Sequence, residues 1–148
     1  MARSFQARAV SVREEIERMR ERAETVIAAY RPKPGKDLEL RKLVRQHRRT
    51  LDKAHLVTKR PSLLLRAPSD GTVLEIFEWV SAKAADEAHQ HPDIRAMWNK
   101  FALIADFVPL SSIREAGKAF SHFEALGNDA PKHRALARTR PPSRRPTL

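Results

Sequence analysis

The stretch Thr72–Val80, which reads TVLEIFEWV, constrains how the rest of the chain can fold. It is rich in β-branched and aromatic residues, a composition typical of a strand. Alternate residues of a strand point to opposite faces, and here both faces are mainly apolar, so this strand should be covered on both sides. One face carries Val73, Glu75, Phe77 and Trp79, and the other carries Leu74, Ile76, Glu78 and Val80. The pattern leaves open which face meets the helices.

Breaker residues place three further strands around this one. The turn Pro68-Ser69-Asp70-Gly71 makes Ser62–Arg66 the hairpin partner of the central strand. A first strand, Thr25–Arg31, ends at the cluster Pro32-Lys33-Pro34-Gly35. Near the end of the chain, Phe107–Ile113 is predicted to be the last strand.

Two helical segments separate these strands. Asp37 is predicted to cap a helix that runs to about Ala54, with an arginine-rich solvated side and an apolar stripe at spacings of three and four. The stripe consists of Leu40, Leu43, Val44, His47 and Leu51. Ser81 should cap a second helix from about Lys83 to Ala105, broken at His91-Pro92.

The order β-α-β-β-α-β is the split βαβ pattern of ferredoxin-like folds, and it predicts an α+β domain. Two helices cover only one face of a four-stranded sheet. Because the other face is also apolar, we expect a homodimer in which two half-barrels pack sheet against sheet.

Composition separates this domain, residues 25–126, from two flanking segments. Residues 1–24 predict a loosely ordered helical extension, because Val12, Ile16 and Met19 give only a thin apolar stripe. The sequence leaves open whether Met1 or Met19 is the natural start of the chain. Residues 127–148 contain four prolines and scattered arginines, which predicts a disordered basic tail.

Nearly half of the formal net charge of +11 lies in that tail, since residues 128–148 carry six basic residues against one acidic residue. The distribution therefore does not favour a nucleic-acid partner. The chain has no cysteine, no signal-like leader and no apolar run long enough to span a membrane. A cytoplasmic location without membrane association is the expectation.

Three segments resemble antibiotic biosynthesis monooxygenase-like domains of the dimeric α+β barrel superfamily. They are AYRPKPGKDLELRKLV, LEIFEWVSAKAADEAHQHPDIRAMWNKF and DFVPLSSIREAGKAFSHFEAL, and together they cover about residues 25–126. The resemblance implies a dimeric barrel with a small-molecule pocket. The superfamily includes cofactor-free oxygenases, heme-degrading enzymes and proteins without known chemistry, so the fold does not choose among them.

Trp79 and His89 match two positions used by heme-degrading members of the superfamily, a tryptophan on the third strand and a histidine on the second helix. Those members also use an asparagine on the first strand, where this chain has Tyr30. No cofactor is therefore predicted, and heme remains the less favoured alternative. His89 and His91 would point apart on a helix, so no metal site is predicted either.

Cofactor-free oxygenation needs a basic or hydrogen-bonding group close to an aromatic substrate inside the barrel. The candidates are Tyr30, which ends the first strand, His89, and whichever of Glu75 and Glu78 faces inward. A desolvated carboxylate would suit general base work. The alternative is that this glutamate forms an ion pair with Arg66 or Arg31. Pocket-lining residues are predicted to be Phe77, Trp79, Trp98 and Phe120.

The sequence thus predicts a homodimer with a pocket for a small apolar or aromatic ligand and the activity of a cofactor-independent monooxygenase. The alternative is a barrel protein that binds a ligand or serves in stress without catalysis.

Overall fold

The computed structural model describes residues 2–127, and of residues 2–10 only the backbone. The elements in chain order are α1 (Ala2–Glu21), β1 (Glu24–Pro32), α2 (Asp37–Lys53), β2 (Leu63–Arg66), β3 (Val73–Trp79), α3 (Ala82–Gln90), α4 (Pro92–Ile104), β4 (Ala105–Phe107) and β5 (Glu124–Ala125). Two short 3-10 turns, Leu110–Ser112 and Arg114–Gly117, lie between β4 and β5.

The five strands form one antiparallel sheet in the order β4-β1-β3-β2-β5. The predicted α+β class is confirmed, and the arrangement is compatible with a ferredoxin-like fold. The predicted hairpin of β2 and β3 is also present, with Leu64 opposite Glu75.

The register between β1 and β3 shows which side chains share a face. Ala28 lies opposite Glu75, and Val26 lies opposite Phe77. Directly opposed residues of an antiparallel pair point to the same side of the sheet. Helices α2 and α4 pack on this side, where Leu40, Val44 and Phe101 are fully buried in the main core. The face with Glu75, Phe77 and Trp79 is therefore the helix-covered one.

The second face of the sheet is covered only in part. Residues 108–126, which we call the C-terminal strap, bury Ile113 against Ala29 and Leu74 on this face. The remaining half is open, and there Ile27 is 44% exposed and Leu63 is 46% exposed.

The strap replaces most of the predicted last strand, so the prediction of Phe107–Ile113 as a strand is wrong. β4 covers only Ala105–Phe107. Beyond it, both the amide and the hydroxyl of Ser112 donate to the carbonyl oxygen of Pro109, at 3.0 and 2.8 Å, and close a 3-10 turn. This turn carries Ile113 onto the second face of the sheet, where its burial stabilises the strap.

Because β4 is short, it pairs with β1 only at Tyr30–Pro32. Among residues 2–127, no strand pairs with the same edge of β1 between Glu24 and Ala28. The sheet therefore has an open edge beside the space between β1 and the helices.

Two predicted helix caps have different outcomes. The Ser81 hydroxyl accepts a hydrogen bond from the amide of Ala84, as predicted, at 3.1 Å. The predicted cap at Asp37 is wrong, because Asp37 is already the first helical residue. Lys36 occupies the cap position and makes no side-chain capping bond.

The predicted N-terminal helix is present as α1, which contacts α3 through an ion pair between Arg20 and Asp86 at 3.0 Å. Val12, Ile16 and Met19 are each more than half exposed. The predicted disordered tail lies almost wholly outside the described residues. None of the helices within residues 2–127 has the length and apolar character that crossing a membrane requires.

Candidate functional site

A cavity of about 530 Å³ opens between the helix-covered face of the sheet and helices α2, α3 and α4. Its apolar lining consists of Val26, Ala28, Phe77, Trp79, Ala85 and Phe107. Its polar groups come from Glu24, Tyr30, His47, His89 and Trp98. This location differs from the barrel interior, between two sheets, that the sequence led us to expect.

A chain of hydrogen bonds runs through the wall of this cavity. The Trp98 indole N–H donates to Nε2 of His47 at 3.0 Å. The other ring nitrogen of His47, Nδ1, lies 2.8 Å from Oε1 of Glu75. The Tyr30 hydroxyl donates to the same Glu75 oxygen, also at 2.8 Å. Four side chains from β1, α2, β3 and α4 are thereby joined.

The hydrogen bond from Trp98 determines the tautomer of His47. An indole N–H can only donate, so Nε2 of His47 must be an acceptor without a proton. The single proton of the neutral imidazole is then on Nδ1, which donates to Glu75. Oε1 of Glu75 accepts from His47 and from Tyr30, which is the pattern expected of a carboxylate.

Packing holds these groups in place. His47 is 2% exposed and Glu75 is fully buried. The ring of Tyr30 stacks on Phe101 with centroids 4.6 Å apart, and the His47 ring meets Phe101 edge-on at 5.4 Å. Their orientations therefore depend on a well-packed core rather than on a mobile loop.

Burial raises the pKa of Tyr30 well above its usual value of 10, and the negative charge of Glu75 and the hydrogen bond to it act in the same direction. The phenol therefore stays protonated near neutral pH. The Tyr30 hydroxyl can therefore serve as a hydrogen-bond donor, and its role as a catalytic group stays a prediction.

Five of the sequence-predicted residues lie together at the cavity, namely Tyr30, Phe77, Trp79, His89 and Trp98. The ring of His89 packs edge-on against Trp98, with centroids 4.9 Å apart. Glu75 lies in the adjoining wall, through its contacts with Tyr30 and His47.

Two predicted residues do not belong to this site. Glu78 lies on the other face of the sheet, with Oε2 3.8 Å from Nε of Arg60. Phe120 is 84% exposed and is not part of the lining, because the strap turns its ring toward solvent.

The predicted ion pair of Glu75 with Arg66 or Arg31 is wrong, because both arginines have other partners. Arg31 pairs with Asp70 at 2.9 Å, and Arg66 pairs with Glu124 at 3.0 Å. Oε1 of Glu75 instead accepts hydrogen bonds from Tyr30 and His47, which are neutral donors.

Sequence reasoning missed His47 as a site residue. It lies on the buried stripe of α2, where a single histidine is usually a packed side chain. The signal available in the sequence was that His47 lies on the apolar stripe of α2, the side of the helix that packs on the sheet. The neighbouring strand β3 carries Glu75 among apolar residues.

The residues present do not fit the heme site of some members of the superfamily that the sequence resembles. Trp79 and His89 do line the cavity, but β1 presents Glu24, Val26, Ala28 and Tyr30 to it, and none is an asparagine. The described residues also contain no group of three or more His, Asp or Glu side chains that could hold a metal ion.

Neither a protein-family model, nor a curated protein, nor a solved structure matches this chain.

Proposed function

We propose that this protein is a homodimeric small-molecule enzyme in which His47 removes a proton from a ligand held in the cavity. The observation that carries the proposal is the hydrogen-bonded chain Trp98–His47–Glu75 in the cavity wall. A neutral imidazole with an unprotonated Nε2, oriented by a carboxylate on Nδ1, is a well-arranged general base.

The proton transfer requires one small rearrangement. Trp98 releases Nε2 of His47, and an acidic O–H or C–H of the ligand takes its place. The proton moves to Nε2, and the electron pair of the broken bond stays on the ligand. Glu75 stabilises the resulting imidazolium, while the Tyr30 hydroxyl keeps the carboxylate in position.

The reaction class that we propose is cofactor-independent monooxygenation, with dioxygen as the oxidant. An aromatic ligand with an activated methylene group would be deprotonated and would then react with dioxygen. One oxygen atom enters the ligand as a carbonyl, and the other leaves as water with the two methylene hydrogens. The predominantly apolar lining suits such a ligand and excludes water from the deprotonated intermediate.

One observation favours a second candidate, a binding protein without turnover. Nε2 of His47 is already engaged by Trp98. If ligands bind without displacing this contact, the cavity serves recognition alone.

The dimer is supported by the open half of the second sheet face. Ile27 lies opposite Ile76, and Ile76 lies opposite Leu63, so three aliphatic side chains form one row across three strands. We propose that a second copy of the chain covers this row. Ile27→Asp should convert the dimer into a monomer in analytical ultracentrifugation, whereas Leu103→Asp, on the outer side of α4, should not. A wild-type protein that sediments as a monomer at high micromolar concentration would exclude this part of the proposal.

The test of the activity is oxygen consumption with a panel of bicyclic and tricyclic aromatic ketones that carry an activated methylene group. With any ligand that is turned over, His47→Gln should lower kcat by 100-fold or more, since general base catalysis typically contributes about 10²–10⁴-fold. His122→Gln, an exposed control outside the cavity, should leave kcat unchanged. Binding of ligands without oxygen consumption would favour the second candidate, and full activity of His47→Gln would refute the role of His47.

A further inference from the structure

The charge of the cavity wall is unusual for so basic a chain. The sequence contains 29 lysine and arginine residues, yet none of those within residues 11–127 lines the cavity. The nearby formal charges are negative, with Glu24 in the lining and Glu75 in the adjoining wall. The formally charged side chains nearest to a ligand in this cavity are therefore both acidic.

The negative charge of Glu75 has no cationic partner among residues 11–127. Its Oε1 accepts from two neutral groups, and its Oε2 is buried without a hydrogen-bond partner. A buried and unpaired charge is costly, so a cation bound nearby would be stabilised. Ala28, which lies directly opposite Glu75 on β1, lines the cavity, so the carboxylate lies about one side chain from the space that a ligand would fill.

Aromatic rings provide much of the remaining lining that a cation would meet. Phe77 and Trp79 come from β3, Tyr30 from β1, Trp98 from α4 and Phe107 from β4. The faces of such rings attract cations, and Trp is the most effective of them. Flat ligands can also stack against these rings.

The proposed proton transfer also favours a cationic acid. If a neutral ligand gives its proton to His47, it becomes an anion in a cavity that no described lysine or arginine lines. If a cationic ligand gives up a proton, it becomes neutral, and the positive charge moves to the imidazolium beside Glu75. The second reaction creates no new anion.

We propose that the cavity binds planar aromatic cations, such as N-alkylated heteroaromatic rings, in preference to neutral or anionic ligands of the same shape. This inference rests on the proposed function for the position of the ligand and, in its last step, for the role of His47. It adds the charge of the ligand, which the proposed function leaves open.

The test compares three bicyclic probes of nearly equal shape by isothermal titration calorimetry on the full chain. N-methylquinolinium is the cation, 1-methylnaphthalene is the neutral isostere and 1-naphthoate is the anion. Trp79 and Trp98 are the only tryptophans of the chain, so quenching of intrinsic fluorescence reports binding at this cavity. We expect the cation to bind about tenfold more tightly than the neutral probe, and the anion more weakly than both.

Charge-neutralising variants test the source of this preference. Glu75→Gln should reduce the advantage of the cation over the neutral probe to about twofold or less, whereas Glu78→Gln, on the opposite face, should leave it unchanged. Should Glu75→Gln fail to fold, as judged by circular dichroism, Glu24→Gln in the cavity lining should still lower the affinity for the cation about twofold. Equal losses for cation and neutral probe in Glu75→Gln would overturn the electrostatic argument.

The outcomes also distinguish this inference from the proposed function. If the anion or the neutral probe binds best, the charge preference is wrong, but the cavity remains a ligand site. If none of the probes binds, the inference is refuted, while oxygen consumption with other ligands still tests the base.

Discussion

Replacing Tyr30 by phenylalanine isolates one hydrogen bond of the site. The phenol donates to the Glu75 carboxylate at 2.8 Å, and the ring stacks on Phe101 at 4.6 Å. Tyr30→Phe keeps the ring and removes only the donor, so no large void is created. A hydrogen bond to a charged group contributes about 1.5–3 kcal/mol. We therefore expect the free energy of unfolding to fall by about this amount and Tm to fall by about 6–12 °C.

The same variant predicts a pH dependence, and its sign follows from the raised pKa of Tyr30. Below pH 10 the phenol is protonated in both the folded and the unfolded chain, so the stabilisation is fully present. Above pH 10 only the unfolded chain loses this proton. The stability of the wild type relative to Tyr30→Phe should then fall by up to about 1.4 kcal/mol per pH unit, until the pKa of the folded state is reached.

Urea denaturation at several pH values measures both effects. Because Tyr30 is the only tyrosine of the chain, absorbance of tyrosinate near 295 nm follows its ionisation directly. A double-mutant cycle with Glu75→Gln should show a coupling energy of at least about 1 kcal/mol. The reasoning is refuted if Tyr30→Phe costs less than about 0.5 kcal/mol, or if Tyr30 in the folded protein ionises near pH 10.

Three further predictions concern the scaffold. Phe101→Ala should lower the free energy of unfolding by about 3–5 kcal/mol in urea denaturation, because the ring is fully buried, while Leu103→Ala, which is 75% exposed in the wild type, should change it by less than about 0.5 kcal/mol. Burial tends to raise the pKa of Asp70, but hydrogen bonds from Thr72 and Arg31 outweigh this effect and lower the pKa below 3.8. The stabilisation that Asp70 provides should therefore be present above pH 3.8 and be lost as the pH falls further. A titration of Tm against pH in which Asp70→Asn loses stability in acid as the wild type does would contradict this. Ser81→Ala should cost about 1 kcal/mol in thermal unfolding, since it removes the cap of α3, and an unchanged Tm would mean that the cap contributes nothing.

The fold was largely predictable because its signals are local. The alternation in Thr72–Val80 and the turn before it specify a hairpin, and the cluster Pro32-Lys33-Pro34-Gly35 ends the first strand wherever the rest of the chain lies. The last strand was not predictable in the same way. The segment that includes Ile113 is apolar enough for a strand, and only the uncovered sheet face explains why it forms a strap instead.

The site was predictable in its parts but not in its connections. Tyr30, Trp79 and Glu75 stand out by residue type and position on their strands. The link through His47 depends on how α2 is rotated and shifted over the sheet, which is set by packing between distant segments. The position of a helix over a sheet cannot be read from the hydrophobic periodicity of the helix or of the strands.

The open edge of β1 has a consequence for how this protein must be studied. The amide of Val108 donates to the carbonyl oxygen of Ala29 on that edge, and strand geometry directs the peptide groups of Ile27 and Thr25 the same way. Beside the cavity, the main chain thus presents donors and acceptors that every substitution except proline preserves. Conventional alanine scanning would leave these main-chain groups intact. Backbone amide chemical shifts and amide-to-ester replacement at Ile27 are the means to detect a ligand that uses them.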